Sequence, residues 1–97
     1  MKAIFISFDQ AHFESIMSIL NHNNLRGFTY WENVQGRGSV SGEPHYGSHA
    51  WPGMNSAILT MVEDHQATPL MDLLRKLDNQ TPALGLRAFV MNVEKTI

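Results

Sequence analysis

The stretch Lys2-Ala3-Ile4-Phe5-Ile6-Ser7-Phe8-Asp9-Gln10-Ala11-His12-Phe13-Glu14-Ser15-Ile16-Met17-Ser18-Ile19-Leu20 decides the fold. Residues 2–8 alternate weakly and are rich in Ile and Phe, with apolar side chains on both faces. That pattern reads as a strand covered on two sides. Asp9 or Ser7 then offers a helix cap, and Ser7 with Gln10 has capping-box spacing. Phe13, Ile16, Met17 and Leu20 follow at i, i+3, i+4 and i+7, one apolar stripe on a helix. Asn21 to Asn24, with Gly27 close behind, stop that helix.

Working outward, the same unit returns. Gly27 to Gln35 reads as a second strand, with Phe28, Tyr30 and Val34 facing one way and Thr29, Trp31 and Asn33 the other. Ser56 to Glu63 reads as a third strand. A second helix is expected with Thr68 or Asp64 as cap and Pro69 in its first turn. Its stripe is Leu70, Leu73, Leu74 and Leu77, and Asn79 and Pro82 end it. Leu84 to Glu94 completes the set as a fourth strand. The order strand–helix–strand, strand–helix–strand predicts an α+β, ferredoxin-like βαββαβ sandwich, a single domain over residues 1–97. Right-handed crossovers put both helices on one face of a four-stranded antiparallel sheet. The strands carry apolar residues on both sides: Ile4 and Ile6 against Phe5, Ile58 and Val62 against Leu59 and Met61, Val90 against Phe89 and Met91. A solvated face should be polar, so an oligomer packed sheet to sheet is expected.

Composition bounds the function. Hydrophobic residues are 43% of the 97, within the globular range. Charged residues are 16%, below the ordinary 25% or so, which again favours surface buried between subunits. A formal charge of −2 offers no basic field, so no nucleic acid partner is expected. The absence of cysteine excludes disulfides, thiol catalysis and thiolate metal sites. No apolar run is long enough for membrane insertion, and the N-terminal one is too short for a secretory signal. A cytoplasmic protein is the expectation.

Residues 36–55 are a different material, a long loop with five of the seven glycines and two of the four prolines. Loops beyond about 12–15 residues in small domains are usually functional or disordered. Gly36-Arg37-Gly38-Ser39 is no Walker motif, since no Gly-Lys-Ser/Thr follows. Its glycines either turn the chain or let backbone N–H groups approach an anion. His45 and His49, with Glu43 just before, form a donor set suited to a divalent transition metal. The alternative is two solvated loop histidines. The remaining histidines, His12, His22 and His65, read as surface residues. No Gly-x-Ser-x-Gly elbow or His-Glu-x-x-His pair is present, so an enzyme is not the expectation.

The layout, with Gly27-Phe28-Thr29, Glu32, Val34, Gly36 and Gly38, resembles the PII nitrogen-regulatory family and its PII-like relatives. The resemblance implies a homotrimer, a small effector, and a regulated enzyme or membrane transporter as partner. Residues 36–55 would be the family's target-contacting T-loop, with Tyr46 its only tyrosine. Nucleotides in that family lie in clefts between subunits, which implies Thr29, Gly36 and Gly38 as lining. Where the family has a phosphate-holding Gly-Asp-Gly-Lys loop, this chain reads Thr81-Pro82-Ala83-Leu84-Gly85-Leu86-Arg87. Only Gly85 and Arg87 match it, which counts against ATP or ADP. Divergent PII-like proteins encoded beside metal-efflux transporters, and the similar divalent-cation tolerance proteins, keep the His45/His49 metal reading open. Metal buffering is the alternative function, and an enzyme between subunits the third.

Overall fold

A computed structural model describes residues 1–37, 44–45 and 54–97. In these residues six strands and two α-helices run in the order β1 (Lys2–Asp9), α1 (Phe13–His22), β2 (Phe28–Val34), β3 (Gly36–Arg37), β4 (Pro44–His45), β5 (Asn55–Val62), α2 (Asp64–Gln80) and β6 (Arg87–Asn92). Four strands form one antiparallel sheet in the order β2-β5-β1-β6, the expected βαββαβ topology. Strand β1 is therefore an inner strand, flanked by β5 and β6.

Alternation along the strands splits the sheet into two faces. Ile4, Ile6 and Phe8 of β1 and Ile58 and Val62 of β5 point to the helices and are buried. There they meet Ile16 and Leu20 of α1 and Ala67, Leu70 and Leu74 of α2, which form a single core. Ser56 and Thr60 share that buried face without penalty. Ser56 Oγ donates to the Glu32 carbonyl at 2.5 Å, and Thr60 Oγ1 to the Gly27 carbonyl at 2.7 Å.

The opposite face carries Trp31, Met61, Phe89 and Met91, each between 43% and 55% exposed. Ala3 and Ala57 lie between these larger side chains and are buried. An apolar layer thus covers the side of the sheet that the helices do not.

Several local expectations are corrected. Of the two candidates for the first cap, it is Asp9: its side chain accepts from the Ala11 N–H at 2.8 Å. It opens a 3₁₀ turn over Gln10–His12 before α1 begins. Helix α1 ends on Asn24 at φ 57°, with Leu25 N–H bonded to the Leu20 carbonyl at 2.9 Å. This is a Schellman closure with asparagine in the left-handed position, and Gly27 is not part of it. Helix α2 starts earlier than a Thr68 cap would allow. Glu63 and Gln66 form a reciprocal capping box, which makes Pro69 the sixth helical residue rather than a first-turn residue.

In β2 the step from Trp31 to Val34 is one residue longer than the matching step from Ala57 to Asn55. This bulge places Val34 in the parity of Trp31, not of Tyr30. The fourth strand is shorter than Leu84–Glu94. Pro82–Leu84 form a 3₁₀ turn, Gly85 takes φ 77°, and pairing starts at Arg87. Residues 36–37 pair with 44–45, so the long segment opens with a ribbon rather than with loop.

Candidate functional site

The registers bring every irregular connection of interest to one end of the sheet. Asp9 of β1 lies opposite Asn55 of β5, and Ser7 opposite Arg87 of β6. Val34 of β2 also pairs with Asn55. Hence the β1–α1 junction, both ends of the 35–54 segment and the turn before β6 share that end.

Two residues of the 3₁₀ turn tie these connections together. Gln10 Nε2 donates to the Glu32 carbonyl at 2.9 Å and to Asn33 Oδ1 at 2.6 Å. The backbone N–H of Gln10 donates to the Met54 carbonyl at 2.8 Å. Gln10 thus holds the chain just before and just after the long segment. The Glu32 carbonyl, freed near the bulge, accepts from both Gln10 and Ser56. Two residues on, His12 is buried, with Nε2 3.3 Å from Thr81 Oγ1. This corrects the reading of His12 as a surface residue. Thr81 caps α2 and opens the turn that leads to Gly85 and Arg87.

Arg87 sits at the first position of β6. Its Nη1 donates to the Leu86 carbonyl at 2.6 Å and lies 3.8 Å from Asp78 Oδ2. Thr29 is exposed and borders a shallow depression of about 330 Å³ with Leu59 and Met61 on the open face. Thr29 and Arg87 occupy the two outer strands, β2 and β6. With strands about 4.8 Å apart, roughly 14 Å of sheet separates them. One subunit therefore does not assemble them into one site.

Of the remaining sequence candidates, Gly36 and His45 are backbone partners across the β3–β4 ribbon. Gly38, Glu43 and His49 lie outside the described residues. Among the described residues no group of three His, Asp or Glu side chains comes together to hold a metal ion. No described helix is long and apolar enough to cross a membrane.

One carboxylate in the described part is electrostatically perturbed. The Met1 α-amino group donates to Asp64 Oδ1 at 2.6 Å and holds that carboxyl below the usual range, with Lys2 and His65 adding to the effect. It lies at the other end of the sheet from Arg87.

The amino-acid sequence matches the family model described as Nitrogen regulatory protein P-II over residues 1–97. The chain belongs to the P-II family. No curated protein sequence matches it. Among solved structures it is similar to CPII of Thiomonas intermedia K12, a nitrogen regulatory PII-like protein. The form of CPII bound to ADP, AMP and bicarbonate aligns with TM-score 0.77 and 21% identity, over 95% of this chain and 84% of that one. The form bound to ADP and bicarbonate gives TM-score 0.76 and 22% identity over the same shares. A putative PII-like signaling protein from Thermus thermophilus aligns with TM-score 0.65 and 22% identity, over 95% and 85%. The fold of this P-II chain is that of the PII-like proteins.

Proposed function

We propose that this P-II chain is a homotrimeric, cytoplasmic regulator that binds an adenine nucleotide between subunits and controls a partner protein through its 36–55 segment. The observation that carries this reading is the gathering of Arg87, the Gly85 turn and both ends of that segment at one end of the sheet. A cation that holds a phosphate there lies close to the segment whose conformation it must influence. Arg87 suits a phosphate because its planar fork donates two parallel hydrogen bonds. Gly85, in the left-handed conformation, lets the backbone turn sharply just before it. Thr29, on the far edge, would complete the same cleft from a neighbouring subunit.

The open apolar face supports the oligomer. Trp31, Met61, Phe89 and Met91 present the kind of surface that other copies of the sheet would cover. Two features recommend the nucleotide over a metal as effector. The PII-like relative of the same fold is described bound to ADP and AMP, and the planar fork of Arg87 matches a phosphate group. The chain acts in this reading by binding, with no reaction of its own.

Calorimetric titration with ADP and AMP tests the proposal. Saturable binding is expected, weakened about tenfold or more in Arg87→Gln, the loss typical of a charge-assisted pair. No heat and no thermal stabilisation at millimolar nucleotide would overturn it. Stabilisation by zinc that disappears when His45 and His49 are both replaced by alanine would transfer the effector role to the metal.

A further inference from the structure

A small pocket of about 140 Å³ lies between α2 and the start of β6, and its charged lining is Arg75, Asp78 and Arg87. Its walls include Leu74 and Leu86, both buried. Arg75 is largely exposed and has a carboxylate of its own nearby, with Nη1 3.7 Å from Asp72 Oδ1. That leaves Asp78 and Arg87 facing each other. Their contact is incomplete. Asp78 Oδ2 is 3.8 Å from Arg87 Nη1, too long for a hydrogen bond. Asp78 Oδ1 is inaccessible and has no hydrogen-bond partner among the described residues. Among the described residues the guanidinium makes its directed bond to the neighbouring Leu86 carbonyl. Arg87 is 41% exposed and Asp78 24%, so the pair sits at a boundary between protein and water.

We infer that Asp78 is the internal counter-ion of Arg87, holding the guanidinium in the ligand-free chain and surrendering it to an anionic phosphate oxygen. This inference rests on the nucleotide reading above and adds to it the residue that sets its affinity. The chemistry follows from the incomplete contact. A carboxylate at 3.8 Å balances charge but satisfies none of the donors of Arg87. A phosphate offers oxygens that accept two of them in parallel. The ligand therefore replaces a loose attraction with directed bonds. The attraction still has to be given up, so Asp78 lowers the apparent affinity for every anion that uses Arg87. It discriminates as well. A weakly charged or monodentate anion gains too little to displace Asp78, whereas a di- or triphosphate gains enough.

Two measurements test this. The first needs no nucleotide: phenylglyoxal modification of Arg87, followed by peptide mapping, in the wild type and in Asp78→Asn. Faster modification is expected in Asp78→Asn, and inorganic pyrophosphate should protect Arg87 in both. The second is calorimetry with ADP and with pyrophosphate. Asp78→Asn should bind about two- to fivefold tighter, the range expected for a part-exposed ion pair. The gain should vanish in Asp78→Asn/Arg87→Gln. Asp78→Ser is the second variant should the asparagine fail to fold, with folding followed by circular dichroism.

ADP binding that is unchanged or weaker in a folded Asp78 variant, with Arg87 modified at the wild-type rate, overturns the counter-ion and leaves the nucleotide reading standing. Absence of ADP binding, alongside pyrophosphate protection and tighter pyrophosphate binding in Asp78→Asn, overturns the nucleotide reading and leaves the counter-ion standing.

Discussion

Gln10 shows how much one side chain can organise. It reaches the Glu32 carbonyl and Asn33 Oδ1 while its own N–H holds the Met54 carbonyl. Residues 22 and 44 positions away in sequence are thereby fixed to one turn. Replacing Gln10 with alanine removes the two side-chain bonds and keeps the backbone bond. The expected loss of stability is about 1 kcal/mol, the net worth of partly exposed hydrogen bonds. Amide exchange should quicken at residues 32–35 and 54–55 while β1 and β6 stay protected. Uniform quickening across the sheet would show a global loss instead, and would remove Gln10 from its role at the base of the long segment. Neither Gln10 nor Asp78 is legible as a site residue in the sequence. Their partners are tertiary and follow no periodicity. Arg87 enters the proposed site only because its place matches a family lysine. Thr29 is found the same way, yet it stands on the opposite edge, because a strand's position in a sheet is set by its neighbours.

Among the elements, legibility follows locality. Each strand-to-helix change shows as a switch of apolar period from 2 to 3.6, which finds both helices but not their first residues. The start of α2 is harder to place because Glu63 is an unusual cap. Its partner Gln66, three residues on, is the signal that finds it. The bulge in β2 is beyond reach, since the extra residue exists only relative to β5. The end of α1 rests on Asn24 in the left-handed region, which asparagine tolerates and alanine does not. Asn24→Ala should cost about 1 kcal/mol, and Asn24→Gly much less because glycine takes that φ freely. For a domain of this size the alanine variant should melt about 4–8 °C lower. Equal melting of the two variants would mean that the Leu25–Leu20 closure, not the φ of residue 24, governs the helix end.

On the scale of the whole molecule, the two faces of the sheet have separate duties. One packs the helices and makes a core. The other is apolar, with large side chains from β2, β5 and β6, and no element among the described residues covers it. Phe89, 55% exposed, is the residue to charge. Phe89→Glu should leave the secondary structure intact and shift sedimentation from that of the proposed trimer to that of a monomer, because a carboxylate cannot be buried there unpaired. A trimer that persists would move the interface away from this face. Nucleotide binding should fall with the trimer, since Thr29 and Arg87 belong to opposite edges.

The position of β1 carries a consequence for how the chain reaches this state. It is the first strand of the sheet to leave the ribosome, and both its neighbours come late: β5 ends at Val62 and β6 at Asn92. Until β5 has been made, a very apolar strand lacks a partner on both sides, and until β6 follows it lacks one on the other. Contacts this distant in sequence also slow folding, since long loops must close before they are rewarded. The nascent chain thus passes through a period in which this apolar segment is exposed without its strand partners.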